Sequence, residues 1–272
     1  MSDIRLSVAL VTRNRPESLG ECLASLRKQE IQPWEIIVSD DSGSAEAAAA
    51  VQQVAGEFGA IYRVGPKRGL YANRNAAALA CSGTHIRTMD DDHRLPAGHL
   101  GLCLEAVGCD PKSLWTTGEV GFIDGKFYDR AEFADQLHPA GVGCAVLDPD
   151  DNWAVADGST IYPREIFERG YRMVEDFTYG MSYLEFGAFL YRRGFRSRCV
   201  RGAYVEHYAD RATLSRDKPH SRLFASLCYN LHFRPSATRA MRYLIPILAR
   251  KPSLIPHFRS LAARARTRWS EA

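Results

Sequence analysis

No apolar run in this 272-residue chain approaches the roughly 20 residues that a membrane-spanning helix needs. The first apolar run, residues 8–11, comes within a few residues of Met1, without the long apolar region of a secretory signal, so a cytoplasmic chain is expected. Cysteine is scattered: seven residues (22, 81, 103, 109, 144, 199 and 228), odd in number and with no Cys-x-x-Cys pair. That argues against a disulfide framework and a zinc ribbon and for reduced thiols. Two phosphate-binding signatures are also missing. There is no Gly-x-x-x-x-Gly-Lys-Ser/Thr loop, and no Gly-x-Gly-x-x-Gly follows the first apolar run, which disfavours P-loop and dinucleotide-binding proteins. What is present is ordinary: 46% hydrophobic and 25% charged residues, and length enough for a large packed core.

Acidic residues are nearly absent from one region. Residues 211–272 carry 13 Lys/Arg against Asp217 and Glu271, whereas residues 1–210 carry 22 Lys/Arg against 30 Asp/Glu. A basic tail of net +11 on a body of net −8 suits an anionic partner for the tail. Nucleic acid is not expected, because the tail lacks regular aromatic interleaving and the body is acidic.

Residues 1–93 alternate strand and helix signals, the pattern of a parallel sheet with crossover helices. Residues 6–11 form a continuous apolar strand followed by the polar turn Thr12-Arg13-Asn14-Arg15-Pro16, with Pro16 opening a helix. A second strand, 35–39, ends in Asp40-Asp41, and a third covers 61–64. A helix then runs through Arg74 and Asn75, and a strand over 84–89 ends in Asp90-Asp91-Asp92. In a parallel sheet these polar ends share one edge, where α/β folds hold ligands. Three adjacent carboxylates call for a positive partner, and Mg²⁺ or Mn²⁺ bridging to phosphate supplies one; a solvated acidic turn is the alternative.

Four motifs in order, Val-Thr-Arg-Asn-Arg-Pro, Ile-Val-Ser-Asp-Asp-Ser-Gly-Ser, Ala-Asn-Arg-Asn-Ala-Ala and Met-Asp-Asp-Asp-His, resemble the nucleotide half of the family-2 glycosyltransferases over residues 5–95, and more loosely to about 208. The resemblance implies an α/β, GT-A-type, mainly parallel sheet flanked by helices: a catalytic domain over 1–210 (nucleotide-binding half 1–95, acceptor-side half 96–210), then a basic helical extension over 211–272. It implies a metal-dependent, inverting transfer of sugar from a nucleotide-diphosphate donor to a glycan, lipid-linked or small-molecule acceptor. Thr12, Arg13 and Arg15 would line the nucleotide pocket, Asp41 would meet the base, Arg74 the pyrophosphate and Asp90 the ribose. Asp92 would bind Mn²⁺ or Mg²⁺, with Asp91 as the variable middle residue of the Asp-x-Asp pattern.

In the second half, Gly158, within Asp157-Gly158-Ser159-Thr160, resembles the glycine loop that approaches the donor sugar; a plain turn is the alternative. His207, after the last expected strand, resembles the histidine that reaches the metal. The family's Glu-Asp pair, which supplies the base, is degenerate here. Glu185 is the preferred candidate, Asp176 the rival, and a non-catalytic nucleotide-sugar-binding module the alternative function. Residues 127–151, rich in acids, Gly and Pro without a clean period, read as a loop or lid on the acceptor side. In the tail, 223–231, 240–248 and 254–265 read as helices. They are expected either to lie on an anionic membrane, at its inner face, or to pack on the catalytic domain or a second copy in a homodimer.

Overall fold

A computed structural model describes residues 4–209 and 218–270. The parallel half of the sheet forms as its apolar runs require. Strands β1 (Leu6–Thr12), β2 (Glu35–Asp40), β3 (Ile61–Val64) and β4 (His85–Asp90) lie in the order 3-2-1-4 and are all parallel. The crossovers are helices α1 (Pro16–Arg27), α2 (Ala45–Glu57) and α3 (Leu70–Ala80). Along β1 the side chains divide between faces: Leu6, Val8 and Leu10 pack with α1 and α2, while Ala9 and Val11 pack on the side of α3. Both faces are therefore buried, and the strand reads as one apolar run instead of an alternating one.

Beyond β4 the sheet becomes mixed. The short β5 (His93–Arg94) and helix α4 (His99–Cys109) lead to β6 (Leu114–Ile123), which forms a hairpin with β7 (Lys126–Ala131). Two residue pairs, β8 (Gln136–Leu137) and β9 (Gly143–Cys144), make a separate ladder, and β10 (Thr160–Pro163) inserts antiparallel between β4 and β6. After α5 (Glu165–Glu168) and α6 (Ser182–Tyr191), the long β11 (Ser197–Ala209) pairs parallel with β6 and antiparallel with β5. The stretch 127–151 is thus partly ordered as three short strands, with β7 exposed along its whole length.

The basic tail forms α7 (Pro219–Cys228), α8 (Ala237–Arg250) and α9 (Phe258–Ser270), with a π-turn over Tyr229–Phe233 and a 3₁₀ turn over Pro252–His257. The expected boundary at 210/211 lies outside the described residues. These helices share a core of Leu223, Phe224, Leu227, Leu244, Leu254 and Leu261 and also pack on the catalytic body. Trp269 meets Phe189 of α6 edge-on at 5.8 Å and donates from Nε1 to Glu185 Oε1 at 3.0 Å. Arg268 lies 3.3 Å from the same carboxylate, which is wholly buried, and donates to the Arg172 carbonyl at 2.8 Å. Among the described residues no helix is long and apolar enough to cross a membrane.

Removing one partner of a buried ion pair strands the other in a low-dielectric interior. Arg268→Ala should therefore lower unfolding free energy by roughly 3–5 kcal/mol, measured by denaturant titration. Exposed Arg259→Ala should stay within about 0.5 kcal/mol. Equal effects of the two would show that α9 is not docked through this pair.

Candidate active site

The strand register sets the geometry. Thr12 of β1 is level with Asp40 of β2, and Val11 is level with Asp90 of β4, so the three polar turns open at one height. The first two turns are tied together. Asn14, held at φ 56°, donates its N–H to Ser42 Oγ at 2.9 Å and accepts from the Gly43 N–H at 2.9 Å. Between these turns and β11 lies a cleft of about 550 Å³ lined by Thr12, Arg13, Arg15, Asp41, Asn73, Asp90, Asp92, Asp157 and His207. Seven of the expected site residues therefore meet in one place. Asp41 is steadied by the Lys67 N–H at 2.8 Å, and Gly65 passes so close that any side chain there would overlap its carboxylate.

Arg74, expected at the donor pyrophosphate, does not line this cleft. Its guanidinium is buried to 1% exposure, with Nη2 2.7 Å from Asp90 Oδ1 and Nη1 paired with Asp157. Burial alone would raise the Asp90 pKa, but the Arg74 charge and hydrogen bonds outweigh it and hold the carboxyl below its usual range. Gly158 closes the same knot. It sits at φ +83°, and a Cβ there would lie 2.7 Å from Asp90 Oδ2, so the glycine is required both by backbone conformation and by the approach to a carboxylate. Asn75 packs locally, latching the 173–175 loop through the Met173 carbonyl and Glu175.

Asp91 is also an anchor. It is fully buried, accepts from Thr12 Oγ1 at 2.6 Å and pairs with Arg15, which reaches Asp92 Oδ2 at 3.0 Å as well. Burial pushes the Asp91 carboxyl above the usual range, against the Arg15 charge. One cation thus braces two of the three adjacent carboxylates.

Asp92, braced through Oδ2 alone, is left with an open oxygen. Asp92 Oδ1 is buried and has no hydrogen-bond partner; His207 Nε2 lies 3.8 Å away. His93, which sequence reasoning left without a role, brings a second orphaned atom: its Nε2 is buried and unpartnered, while Nδ1 faces the Gly158 carbonyl at 3.2 Å. Ligand atoms of Asp92, His93 and His207 all lie within 4.8 Å of one another. The available signal was the β5–β11 pairing, which sets His93 directly opposite His207. Glu119, also unforeseen, accepts from His207 Nδ1 at 2.9 Å and so turns Nε2 toward Asp92. Burial works against charge on His207, but Glu119, Asp92 and Asp90 together raise its pKa to about 9. Two nitrogens and a carboxylate oxygen, oriented by an outer carboxylate, suit Mn²⁺ or another divalent cation.

The two carboxylates expected to supply the base are not in the cleft. Glu185 faces Arg268 and Trp269 on the far side of α6, and Asp176 pairs with Arg264 of α9. A second cleft, of about 370 Å³, adjoins the first through Asp157, His207 and Ala209 and lies under 117–135 and Tyr183.

A family model described as Glycosyl transferase family 2 matches residues 7–171. The chain belongs to that family. Among curated proteins it is 34% identical over 98 residues to the uncharacterized glycosyltransferase YwdF of Bacillus subtilis, covering 36% of each chain. It is 31% identical over 108 residues to a Campylobacter jejuni GalNAc(5)-diNAcBac-PP-undecaprenol beta-1,3-glucosyltransferase, covering 37% of this chain and 34% of that one. These matches span about a third of the length of either relative. Among solved structures, S. aureus TarS 1–349 in complex with UDP-GlcNAc superposes with a TM-score of 0.65 at 13% identity, over 98% of this chain and 82% of that one. GalNAc-T7 with UDP, GalNAc and Mn²⁺ gives 0.70 at 12% identity, over 94% and 58%. At such identities the likeness establishes the fold, which is of the GT-A type.

Arg74→Ala should strip a buried cation from Asp90 and Asp157 and destabilise the protein by roughly 3–5 kcal/mol. Thermal or urea unfolding checks this, and a loss below about 1 kcal/mol would show that the knot does not depend on the guanidinium.

Proposed function

We propose that the chain is a divalent-cation-dependent glycosyltransferase that takes a nucleotide-diphosphate sugar and inverts its anomeric centre by single displacement. The observation that carries this reading is the pair of orphaned buried atoms, Asp92 Oδ1 and His93 Nε2, converging with His207 in a cleft lined by strand-end residues. Asp92, His207 and His93 would hold Mn²⁺ or Mg²⁺, which when bound offsets negative charge on a departing diphosphate. Thr12, Arg13 and Asp41 would receive the nucleoside, with the Asp41 carboxylate accepting from an N–H of the base. Asp90 and Gly158 would face the ribose and sugar, with Arg74 fixing Asp90 from behind. The adjoining cleft would take a glycan, lipid-linked or small-molecule acceptor. The solved GT-A relatives with UDP, UDP-GlcNAc or Mn²⁺ support this donor class.

A non-catalytic nucleotide-sugar-binding module is the second reading, favoured by the distance of Glu185 and Asp176 from the cleft. Release of nucleotide diphosphate from the donor by purified protein separates the two.

The test of the donor site is a thermal-shift panel of UDP-, GDP-, dTDP- and CDP-sugars with and without Mn²⁺. One donor should stabilise by about 2.7 kcal/mol at a hundredfold excess over its Kd. Asp92→Ala should remove the Mn²⁺ dependence while the fold persists. Unchanged dependence would sink the metal assignment.

The tail supports a membrane-surface contact. Met241, Ile245 and Ile255 are each more than half exposed, and the exposed Arg242, Arg250 and Lys251 lie on and just after the same helix α8. Exposed apolar side chains among basic ones suit an anionic bilayer, each basic residue contributing about 1 kcal/mol near the surface. The chain should sediment with vesicles containing phosphatidylglycerol and release at high salt. A Met241→Asp, Ile245→Asp variant should not sediment. Equal binding to neutral phosphatidylcholine, or by the variant, would remove this contact.

A further inference from the structure

The transfer needs a group to take the acceptor's proton, and the acceptor-side cleft holds four carboxylates: Glu119, Asp129, Asp135 and Asp157. Two are engaged by cations of the donor site. Glu119 accepts from His207 Nδ1 at 2.9 Å, and Asp157 is paired with the buried Arg74. Asp129, on β7, has its Oδ1 taken by the Arg130 N–H at 2.7 Å. Asp135 differs from all three. It stands at the start of the β8–β9 ladder, where Gly143 comes so close that a Cβ would overlap its carboxylate. Loop backbone is thus packed directly on this side chain, and no ion pair to it is found among the described residues.

We propose that Asp135 is the general base of the reaction. This rests on the glycosyltransferase reading given above. An acceptor hydroxyl in the cleft gives its proton to the Asp135 carboxylate while its oxygen bonds to the anomeric carbon. The bond from that carbon to the β-phosphate oxygen breaks, and its electron pair leaves on the nucleoside diphosphate. Atoms and charge balance with no further reactant. The environment suits the task. Asp135 is accessible to solvent, yet partial desolvation still raises its pKa above the ordinary carboxylate range, and the titratable groups facing it, Tyr183 of α6 and Cys144 of β9, are neutral acids that supply no counter-charge. On α6 the cleft is lined by Tyr183, whereas Glu185, two residues on, is held by Arg268 and Trp269, which leaves the role to the opposite wall.

The experiment uses the full chain with Mn²⁺ and the four nucleotide-sugar classes, water serving as acceptor, and reads nucleotide diphosphate released. Asp135→Asn should lower release by about 10²–10⁴-fold while the thermal shift produced by the donor stays as in the wild type, which also reports an intact fold. In Asp135→Ala, added formate should restore part of the rate. Release by Asp135→Asn within threefold of wild type, or no formate rescue, overturns the assignment. Donor binding without any release by the wild type overturns it as well, since there is then no reaction to serve. Absence of donor binding instead overturns the glycosyltransferase reading beneath it.

Discussion

Mutual repulsion among carboxylates is the constraint on which the site depends. Asp90, Asp91, Asp92 and Asp157 gather at one end of the sheet, and each burial of a carboxylate is unfavourable unless a cation or hydrogen-bond donors accompany it. Two arginines meet this demand from opposite sides. Arg74 rises from α3 beneath the strand ends and joins Asp90 to Asp157, while Arg15, at the start of α1, joins Asp91 to Asp92. The first is inaccessible and the second about two-fifths exposed at its side chain, so one arginine is a fixed part of the interior and the other is open to the cleft. Once both are placed, the remaining deficit falls on the Asp92 oxygen that faces His93 and His207.

That partition explains which parts of the site were legible in the sequence. Strands β1 and β2 were readable because burial on both faces makes each a short apolar run, and β4, which carries buried His85, Arg87 and Thr88, by the acidic triplet that ends it. Thr12, Asp41 and Asp92 are therefore local facts. Arg74 was visible as a charged helix residue, but its direction was not, since whether it meets ligand or protein depends on Asp90 and on Asp157, 83 positions away. Asp91 looked interchangeable within its triplet. Its burial follows from Thr12 and Arg15, 79 and 76 residues distant, and no local pattern carries that.

The second half of the chain was harder for the same reason. Between 126 and 163 the structure builds two-, four- and six-residue strands, too short or too exposed for alternation to register. Glu185 shows the limit most clearly. In sequence it is an acid near a helix start and a natural candidate for chemistry; in the fold its partners are Arg268 and Trp269 on a helix more than 80 residues later. The basic tail, whose composition suggests only an anionic partner, uses part of its charge internally: Arg268 on Glu185, Arg264 on Asp176 and Arg239 on Asn230.

This internal use of charge links the tail to the site. Helix α6 has one face toward the acceptor-side cleft, through Tyr183, and another toward α9, through Glu185 and Phe189. Tyr183 and Trp269 of α9 pack against the same apolar clusters, so the docking of α9 helps fix where Tyr183 stands. The 173–178 loop is held in a similar way: Asn75 of α3 binds its start, Arg264 binds Asp176, and Thr178 packs against Gly69 at the mouth of the donor cleft. The basic helical extension sets Arg268 on the buried Glu185 and Arg264 on the exposed Asp176, while Arg242 and Arg250 of α8 remain at the surface. The tail's charge therefore divides between contacts with the body and exposed positions on α8, and the same segment that braces α6 also forms part of the basic surface of the protein.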